Sequence, residues 1–202
     1  DGHWQAVTGR EPIGLIEIWD ISKPTPKLAK EVSFPAQNFS NVMMLSRDGR
    51  RLMTDSTGAN LKLESRLFLW DVDWSADGGP AVTPFGEPIA ATHGALSADG
   101  QRLVARRPGE TVRVLDLTQS PPRVEFETKD WEPFAFSPDG NWLATNQSSS
   151  VKLYQRTAET WTQRFQLVSA QGKLNTMTFS PDGRTLVVGD ASGCVHVWDV
   201  SA

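Results

Sequence analysis

The sequence predicts an all-β fold built from small repeated sheets, and three observations lead to that prediction. Five of the six Asp-Gly pairs among the 202 residues, those that begin at Asp1, Asp48, Asp99, Asp139 and Asp182, recur at spacings of 47, 51, 40 and 43. Each pair is followed by a short apolar phrase, such as "LFLWDV" or "VHVWDV", whose aspartate position lies 16 to 23 residues further on. No stretch of a dozen residues carries a convincing helical stripe. A unit that recurs every 40 to 51 residues indicates a repeat architecture whose units stack on one another.

The first element of each repeat is a hairpin turn. Four of these five recurring Asp-Gly pairs have a serine two residues before the aspartate, and two of these turns read Ser-Pro-Asp-Gly. Proline presets the turn backbone and glycine accepts a positive φ, so each pair predicts a tight connection between two strands. The pairs assigned to this structural role are Asp48-Gly49, Asp99-Gly100, Asp139-Gly140 and Asp182-Gly183.

The second element is a strand that closes each repeat. Its motif residues are Trp19, Asp20, Trp70, Asp71, Asp116, Trp198 and Asp199, and the fourth repeat keeps only an aromatic, Tyr154. Runs such as "TLVV" and "LFLW" are apolar on both faces, whereas a sheet with one wet face alternates apolar and polar residues. Radially stacked blades cover both faces of each sheet, so the runs favour a propeller.

The recurring Ser-Pro-Asp-Gly turns and Trp-Asp strand ends resemble the WD40-repeat β-propeller family in a bacterial style. The resemblance covers essentially the whole chain and implies four-stranded antiparallel blades, about five blades or blade parts in all. It implies repeat ends near residues 21, 72, 117, 156 and 200, with outer strands in "TPKLAKEVSF" and "WTQRFQLVSA". We interpret residues 1–202 as one propeller segment that is incomplete at its N-terminus, and we leave open whether it is complete at its C-terminus. The alternative is a five-bladed ring.

The repeats depart from the family pattern in their polar residues. The Gly-His dipeptide is missing before the last repeat, and Ser192 occupies the place of the aspartate that connects the second and third strands. The buried His–Asp–Ser–Trp network of many family members is therefore not expected here. Apolar packing should hold the blades together.

Composition and motifs argue against several function classes. A net charge of −4 and a pI near 5.4 disfavour a nucleic-acid or anionic-membrane partner. Three scattered histidines and one cysteine, Cys194, which we expect to be buried, offer no metal site, and no nucleophile or phosphate-loop motif is present. We predict a non-enzyme without cofactor or metal, located in the cytoplasm, with the periplasm as the alternative.

The candidate contact residues lie in connections between strands, where rigid scaffolds often carry function. Trp74 follows a Trp-Asp strand end in the long loop "DWSADGGPAVTPFG" and is the best candidate for an exposed aromatic. Repeat spacing places the others on the face where WD40-like propellers commonly bind partners. The complete predicted interaction surface is Arg10, Glu11, Asp55, Asn60, Trp74, Arg106, Arg107, Asn146, Gln147 and Asp190.

The resemblance and the lack of catalytic motifs together predict a non-catalytic scaffold or sensor module. Its partner would be a protein or peptide. The remaining blades and attached domains would belong to the same, bacterial, multidomain parent chain. The alternative is the non-catalytic propeller of a hydrolase or a TolB-like periplasmic propeller, folds that also use Ser-Pro-Asp-Gly hairpins but do not usually end strands in Trp-Asp.

Overall fold

In a computed structural model of the protein, the described residues form nineteen β-strands and no helix, which confirms the all-β prediction. The residues described are 4–8, 15–33, 43–56, 65–76, 79–107, 109–158, 160–168 and 172–201. The strands form five antiparallel sheets, the predicted blades or blade parts. They are divided between two compact units, residues 1–92 and 93–202.

The first unit contains two blades. Blade I has the strand order β1 (Trp4–Thr8), β2 (Leu15–Asp20) and β3 (Lys27–Ser33). Blade II has the order β4 (Met43–Leu45), β5 (Arg51–Ser56), β6 (Arg66–Asp73) and β7 (Ala81–Pro84), and β8 (Ile89–Ala90) pairs with the other end of β6. Strand β3 is the outer strand predicted from "TPKLAKEVSF". The two blades share one apolar core made of Ile16, Ile18, Leu52, Trp70 and Val72.

The second unit contains three blades. Blade III consists of β9 (His93–Leu96), β10 (Arg102–Arg106), β11 (Val112–Asp116) and β12 (Arg123–Thr128). Blade IV consists of β13 (Trp131–Phe136), β14 (Trp142–Gln147), β15 (Ser150–Thr157) and β16 (Thr160–Val168). Blade V consists of β17 (Leu174–Phe179), β18 (Thr185–Asp190) and β19 (Val195–Asp199). Strand β13 lies against both β9 and β17, so the first strands of the three blades are neighbours.

The second strands of blades II, III and IV are buried on both faces, as the apolar runs predict, whereas those of blades I and V alternate between buried and half-buried residues. Leu103, Val104 and Ala105 of β10 are consecutive and all buried, and Leu143 and Ala144 of β14 repeat the pattern. Outer strand β16 is instead mostly exposed. Since side chains of one strand alternate between faces, consecutive burial requires a neighbour on each side.

The four Ser-x-Asp-Gly turns that begin at Ser46, Ser97, Ser137 and Ser180 have the same hydrogen bonds. In each turn the serine hydroxyl donates to the aspartate two residues later. The same hydroxyl accepts from the backbone N–H five residues after the serine, at 2.9 Å in all four turns. The glycines have φ between 65° and 75°, a left-handed conformation that glycine adopts without steric cost. The predicted turn chemistry is therefore confirmed.

The aspartate that was predicted to end the third strand caps a turn in blades III and V, but not in blade II. Asp116 and Asp199 each accept the backbone N–H of the residue two positions later, at 2.9 Å. Asp71 was expected to close its strand in the same way, but β6 continues to Asp73 because Val72 and Asp73 pair with β7. Asp73 accepts that bond from Ser75, whereas Asp71 forms an ion pair with Arg51 at 3.1 Å.

The prediction that a buried polar network is missing from the blades is wrong for blades II, IV and V; in blade V, Asp190 at the end of β18 is bonded to His196 of β19. In blade II the indole N–H of Trp70 donates to the Thr54 hydroxyl at 3.2 Å, and both residues are buried. In blade IV a buried aspartate, Asp130, accepts from Thr145 and Tyr154. These hydrogen bonds join neighbouring strands in the interior of the sheets. The blades therefore contain buried polar contacts, although most of the residues that form them are not those of the family's His–Asp–Ser–Trp network.

Candidate functional site

The blades of the second unit have two chemically different ends. The turn end contains the Ser-x-Asp-Gly turns and the capped strand ends, between residues 96–102, 116–123, 136–142, 157–160 and 179–185. The loop end lies at the opposite ends of the strands, between residues 106–112, 128–131, 147–150 and 190–195. Antiparallel pairing alternates the connections between these two ends. The predicted residues of this unit, from Arg106 to Asp190, all lie at the loop end.

The most prominent group at the loop end is Trp131 with Arg106. Trp131 is 51% exposed although it is a large apolar residue in a strand. The guanidinium of Arg106 lies over its ring, 4.1 Å from the centroid, and Arg106 itself is only 4% exposed. A cation–π contact whose ring is half exposed contributes about 0.5–1 kcal/mol. The indole is therefore held in position while half of the residue remains open to solvent.

Glu132 completes this group by neutralising the buried arginine. Its Oε2 accepts from Nη1 of Arg106 at 2.6 Å. Partial burial alone would raise the pKa of Glu132, but hydrogen bonds from its own backbone N–H and from Arg106 hold the pKa below its ordinary value. Glu132 thus carries its negative charge at neutral pH and fixes the guanidinium under the indole.

A break in strand pairing gives Trp131 its position. Trp131 pairs with Asn146 of β14, but the register shifts before the next pair, which joins Phe134 to Thr145. Pro133 lies in this interval and has no N–H to donate to the ladder. Bulges of this kind change the direction of neighbouring side chains. The local sequence Trp-Glu-Pro is therefore sufficient to separate Trp131 from the regular sheet.

Asn146 ties the bulged segment to β14. Its Nδ2 donates to the backbone carbonyl of Glu132 at 2.9 Å, and the residue is 4% exposed. Its Oδ1 is buried and, among the described residues, has no hydrogen-bond partner. Buried acceptors are normally satisfied, so this oxygen is an uncommon feature of the loop end.

Asp130 fixes the residue directly before Trp131. It is 1% exposed and accepts from Thr145 Oγ1 at 2.7 Å, Tyr154 OH at 2.6 Å and Lys152 Nζ at 3.1 Å. Burial, and then the bond to Asp130, raise the pKa of the Tyr154 phenol above its ordinary value. The phenol therefore remains a donor, and the network fixes the start of β13 across three strands.

Asp190 has a similar role in blade V. Its carboxylate is buried and accepts from Ser192, from the backbone N–H of Cys194 and from His196 Nε2 at 3.0 Å. Hydrogen bonds from Ser192 and then from His196 hold the pKa of Asp190 well below its ordinary value. Asp190 therefore organises its own connection. Cys194 is exposed, contrary to the sequence-based expectation, because it lies in that connection.

The structure does not present the predicted surface residues as one exposed set. Asp55, Arg106, Asn146 and Asp190 are buried, Arg107 is half-buried and paired with Glu110 at 3.3 Å, and Gln147 is exposed. Arg10, Glu11 and Asn60 lie outside the described residues. Whether these positions contact a partner stays a prediction.

Trp74 is not the exposed tryptophan. It is half-buried, packs against the core of the first unit, and donates from Nε1 to the Gly49 carbonyl at 2.8 Å. The extension of β6 to Asp73 brings the indole against this turn. Among the tryptophans whose exposure the structure describes, the exposed indole is Trp131, and its sequence signal was present: a tryptophan outside the repeat phase, followed by a proline that interrupts strand pairing.

Two searches of the described residues bear on other functions. No group of three or more histidine, cysteine, aspartate or glutamate residues in the described part of the chain could hold a metal ion. Within those same residues, no helix is both long and apolar enough to cross a lipid bilayer.

Comparison with known proteins confirms the resemblance predicted from the repeat motifs. Residues 162–199 match the family model "WD domain, G-beta repeat". This range contains most of β16 and all of β17 to β19, so the matched repeat joins one outer strand to the three strands of the next blade. These limits agree with the repeat ends near residues 156 and 200 that the family resemblance implies.

Two curated relatives show WD-repeat similarity over part of the chain. WD repeat and HMG-box DNA-binding protein 1 of Mus musculus is 42% identical over 72 residues, which are 35% of this chain and 6% of that protein. The small ribosomal subunit protein RACK1 of Schizosaccharomyces pombe is 28% identical over 114 residues, 52% of this chain and 36% of that protein. The matches thus span at most about a third of these relatives.

Solved β-propellers match nearly the whole chain in fold. Hsv2 of Kluyveromyces lactis gives a TM-score of 0.73 at 16% identity, covering 99% of this chain and 58% of that one. Sqt1 of Chaetomium thermophilum, solved with the N-terminus of ribosomal protein L10, gives 0.66 at 18% identity, covering 99% and 56%. A proposed 6-phosphogluconolactonase of Bacteroides fragilis gives 0.61 at 14% identity, covering 92% and 60%. At these identities the similarity shows the fold alone.

Proposed function

Because the chain folds as propeller blades and carries a WD40 repeat, we propose that it is a non-catalytic scaffold or sensor module that binds a protein partner through the loop end of its second unit. The observation that carries this proposal is the exposed Trp131 packed on the buried Arg106, which Glu132 neutralises. Exposed tryptophans supported by a rigid surrounding are typical centres of protein interfaces.

The rigid surrounding matters energetically. A side chain that is already ordered loses little conformational entropy on binding, whereas an immobilised flexible side chain costs about 0.5–1.5 kcal/mol. Arg106 fixes the ring of Trp131, Asn146 fixes the backbone after it, and Asp130 fixes the residue before it. The loop end therefore offers an indole whose ordering was completed during folding.

The relatives support a protein partner as the ligand class. Sqt1 was solved with the N-terminus of a ribosomal protein, and WD-repeat propellers generally mediate protein–protein interaction. We propose further that the module acts in the cytoplasm as part of a longer, bacterial, multidomain chain, in which partner binding is passed to an attached domain. Fractionation of cells that express the complete coding region tests the location, and recovery in the periplasm would contradict it.

Site-specific photo-crosslinking tests the binding face. Gln147 is exposed at the loop end of blade IV, and Gln101 is exposed at the turn end of blade III, so the two glutamines form a matched pair. We expect benzoylphenylalanine at position 147, but not at position 101, to form a covalent adduct with one defined protein in cells. Equal adducts from both positions, or an adduct from position 101 alone, would contradict the proposal.

The second candidate is the propeller of a hydrolase or a TolB-like periplasmic module. The chain has the same fold as a proposed 6-phosphogluconolactonase, and this similarity of fold is the observation that favours the second candidate. Incubation of the purified chain with lactone and ester substrates distinguishes the two. Turnover that follows the protein through purification would favour the hydrolase candidate over the scaffold.

A further inference from the structure

The chemistry around Trp131 indicates what kind of segment binds there, an inference that rests on the proposed function. The Arg106 guanidinium occupies one face of the indole at 4.1 Å from the ring centroid. A cation on one face draws π-electron density toward itself, so the ring binds a second cation less well. The exposed part of Trp131 is therefore better suited to an apolar side chain than to lysine or arginine.

The charged residues near Trp131 give the second requirement. Along this part of the loop end the carboxylates already have cationic partners: Glu132 with Arg106, Asp130 with Lys152, and Glu110 with Arg107. On the outer strand before it, Glu127 is paired with Arg113. Each of these pairs is close to neutral as a unit, so the field at the surface depends on the charges that remain.

Near Trp131 in the chain, Lys129 carries a charge that none of these ion pairs neutralises. It is exposed, lies two residues before Trp131, and forms no ion pair with any described residue. Lys129 lies in the bend between β12 and β13, and the Cα atoms of two residues so placed are at most roughly 6–7 Å apart, so the ammonium group can lie within reach of a group next to the one that contacts the indole. A carboxylate beside an apolar side chain matches this arrangement.

We infer that the loop end of blades III and IV binds a linear protein segment that presents a bulky apolar side chain next to one or more carboxylates. The apolar side chain packs on the exposed part of Trp131, and a neighbouring carboxylate pairs with Lys129. Burial of the indole supplies most of the affinity, whereas the carboxylate adds specificity and a salt-dependent association rate.

Selection from a random peptide library tests this inference. The full chain is immobilised, binders are selected from twelve-residue peptides, and the dissociation constants of the enriched peptides are measured. We expect enrichment of leucine, isoleucine or phenylalanine next to aspartate or glutamate. Enrichment of lysine- or arginine-rich peptides would overturn the inference.

Four variants locate the binding site. Trp131→Ala should weaken the enriched peptides by at least about tenfold, because a central tryptophan contributes strongly to affinity. Phe165→Ala is its control, since Phe165 is an aromatic residue that is 44% exposed on outer strand β16. Lys129→Glu should weaken binding strongly at about 0.01 M salt and little at about 1 M. Lys30→Glu makes the same charge change on an exposed residue of the first unit and should have no effect.

The outcomes separate this inference from the proposed function. Peptides that bind equally to wild type and Trp131→Ala would overturn the inference and leave the scaffold function standing. A library without binders, together with a protein adduct at position 147, would overturn the linear segment but not the binding face. Failure of both experiments would overturn both.

Discussion

The turn end and the loop end of the blades are built from the same strands but organised in opposite ways. Three Ser-x-Asp-Gly turns at the turn end of the second unit, and a fourth in blade II, repeat one set of hydrogen bonds with nearly identical distances. At the loop end each blade differs: an arginine packs under an indole at the blade III–IV boundary, and an aspartate binds a histidine in blade V. The repeated chemistry builds the fold, and the departures from it produce a distinctive surface.

The sequence separation of the interacting residues explains this difference. Every bond of a Ser-x-Asp-Gly turn joins residues no more than five positions apart. At the loop end, Arg106 and Glu132 are 26 residues apart, and Asp130 and Tyr154 are 24 apart. A local bond set forms wherever its short motif occurs, whereas a long-range pair requires a particular arrangement of blades.

The largest expected effect on stability comes from Asp130→Ala, which tests whether the loop end is structurally as well as functionally distinct. The change leaves Thr145, Tyr154 and Lys152 without their common acceptor. Removal of one partner of a buried charged pair typically costs about 3–5 kcal/mol. Denaturant unfolding of Asp130→Ala and of its control, Ser137→Ala, measures the loss in the free energy of unfolding. Ser137→Ala, which removes one turn hydroxyl, should cost only about 1 kcal/mol; equal losses would contradict the comparison.

Two glycines of the Ser-x-Asp-Gly turns should differ in the cost of an added methyl group. Gly49 and Gly140 have φ of 75° and 70°, so either alanine substitution costs about 1 kcal/mol of backbone strain. A Cβ at position 140 meets its nearest neighbour at 4.0 Å, whereas a Cβ at position 49 lies 3.0 Å from Trp74 Nε1. Gly49→Ala should therefore destabilise by about 2 kcal/mol.

Thermal unfolding of the two glycine variants measures this difference. Loss of Trp74 packing accounts for the extra cost, so Gly49→Ala made in a Trp74→Phe background should come closer to Gly140→Ala. An equal cost of the two substitutions in the wild-type background would mean that Trp74 does not support the turn.

Acidification should weaken the Arg106–Glu132 pair. The pKa of Glu132 is lowered in the folded state from its ordinary 4.5, so the pair stabilises the fold above that pH and loses its effect as the pH falls through the lower, folded value. Glu132 is partly exposed, which limits the contribution to at most about 1 kcal/mol. The stability difference between wild type and Glu132→Gln should shrink on acidification, and a constant difference would contradict the assignment.

The smallest expected effect on stability is that of Trp131→Ala. The residue is half exposed, so its removal should cost no more than about 1 kcal/mol, chiefly from the contact with Arg106. Trp161→Ala, which removes a buried indole, should cost about 3–5 kcal/mol. Urea unfolding of the two variants makes the comparison, and a large loss for Trp131→Ala would assign that residue to the core.

The elements that follow from local chemistry could be predicted from the sequence. The turns at Asp48, Asp99, Asp139 and Asp182, the capped strand ends and the buried second strands all depend on nearby residues or on alternation along one strand. The all-β repeat fold follows from them because each motif recurs in phase.

The loop end could be predicted only in part. Arg106 and Asn146 lie at the loop end, as the repeat spacing predicts, but their burial depends on the course of β13, which the repeat pattern does not predict. Trp74 was preferred over Trp131 because loop length was used as the guide to exposure. The extension of β6 by two residues covers Trp74, and the bulge at Pro133 exposes Trp131. Neither the strand extension nor the bulge recurs from repeat to repeat, so the repeat spacing could not predict them.

The indole N–H signals of the eight tryptophans give the most direct test of the central claim, that the loop end around Trp131 is the binding surface. In a 1H–15N NMR titration with an enriched peptide, the Trp131 signal, assigned with Trp131→Phe, should shift progressively. The signals of Trp74, Trp142 and Trp198, which lie by the Asp-Gly turns or at a Trp-Asp strand end, should stay in place. A shift of those three with an unchanged Trp131 signal would place binding elsewhere and contradict the account.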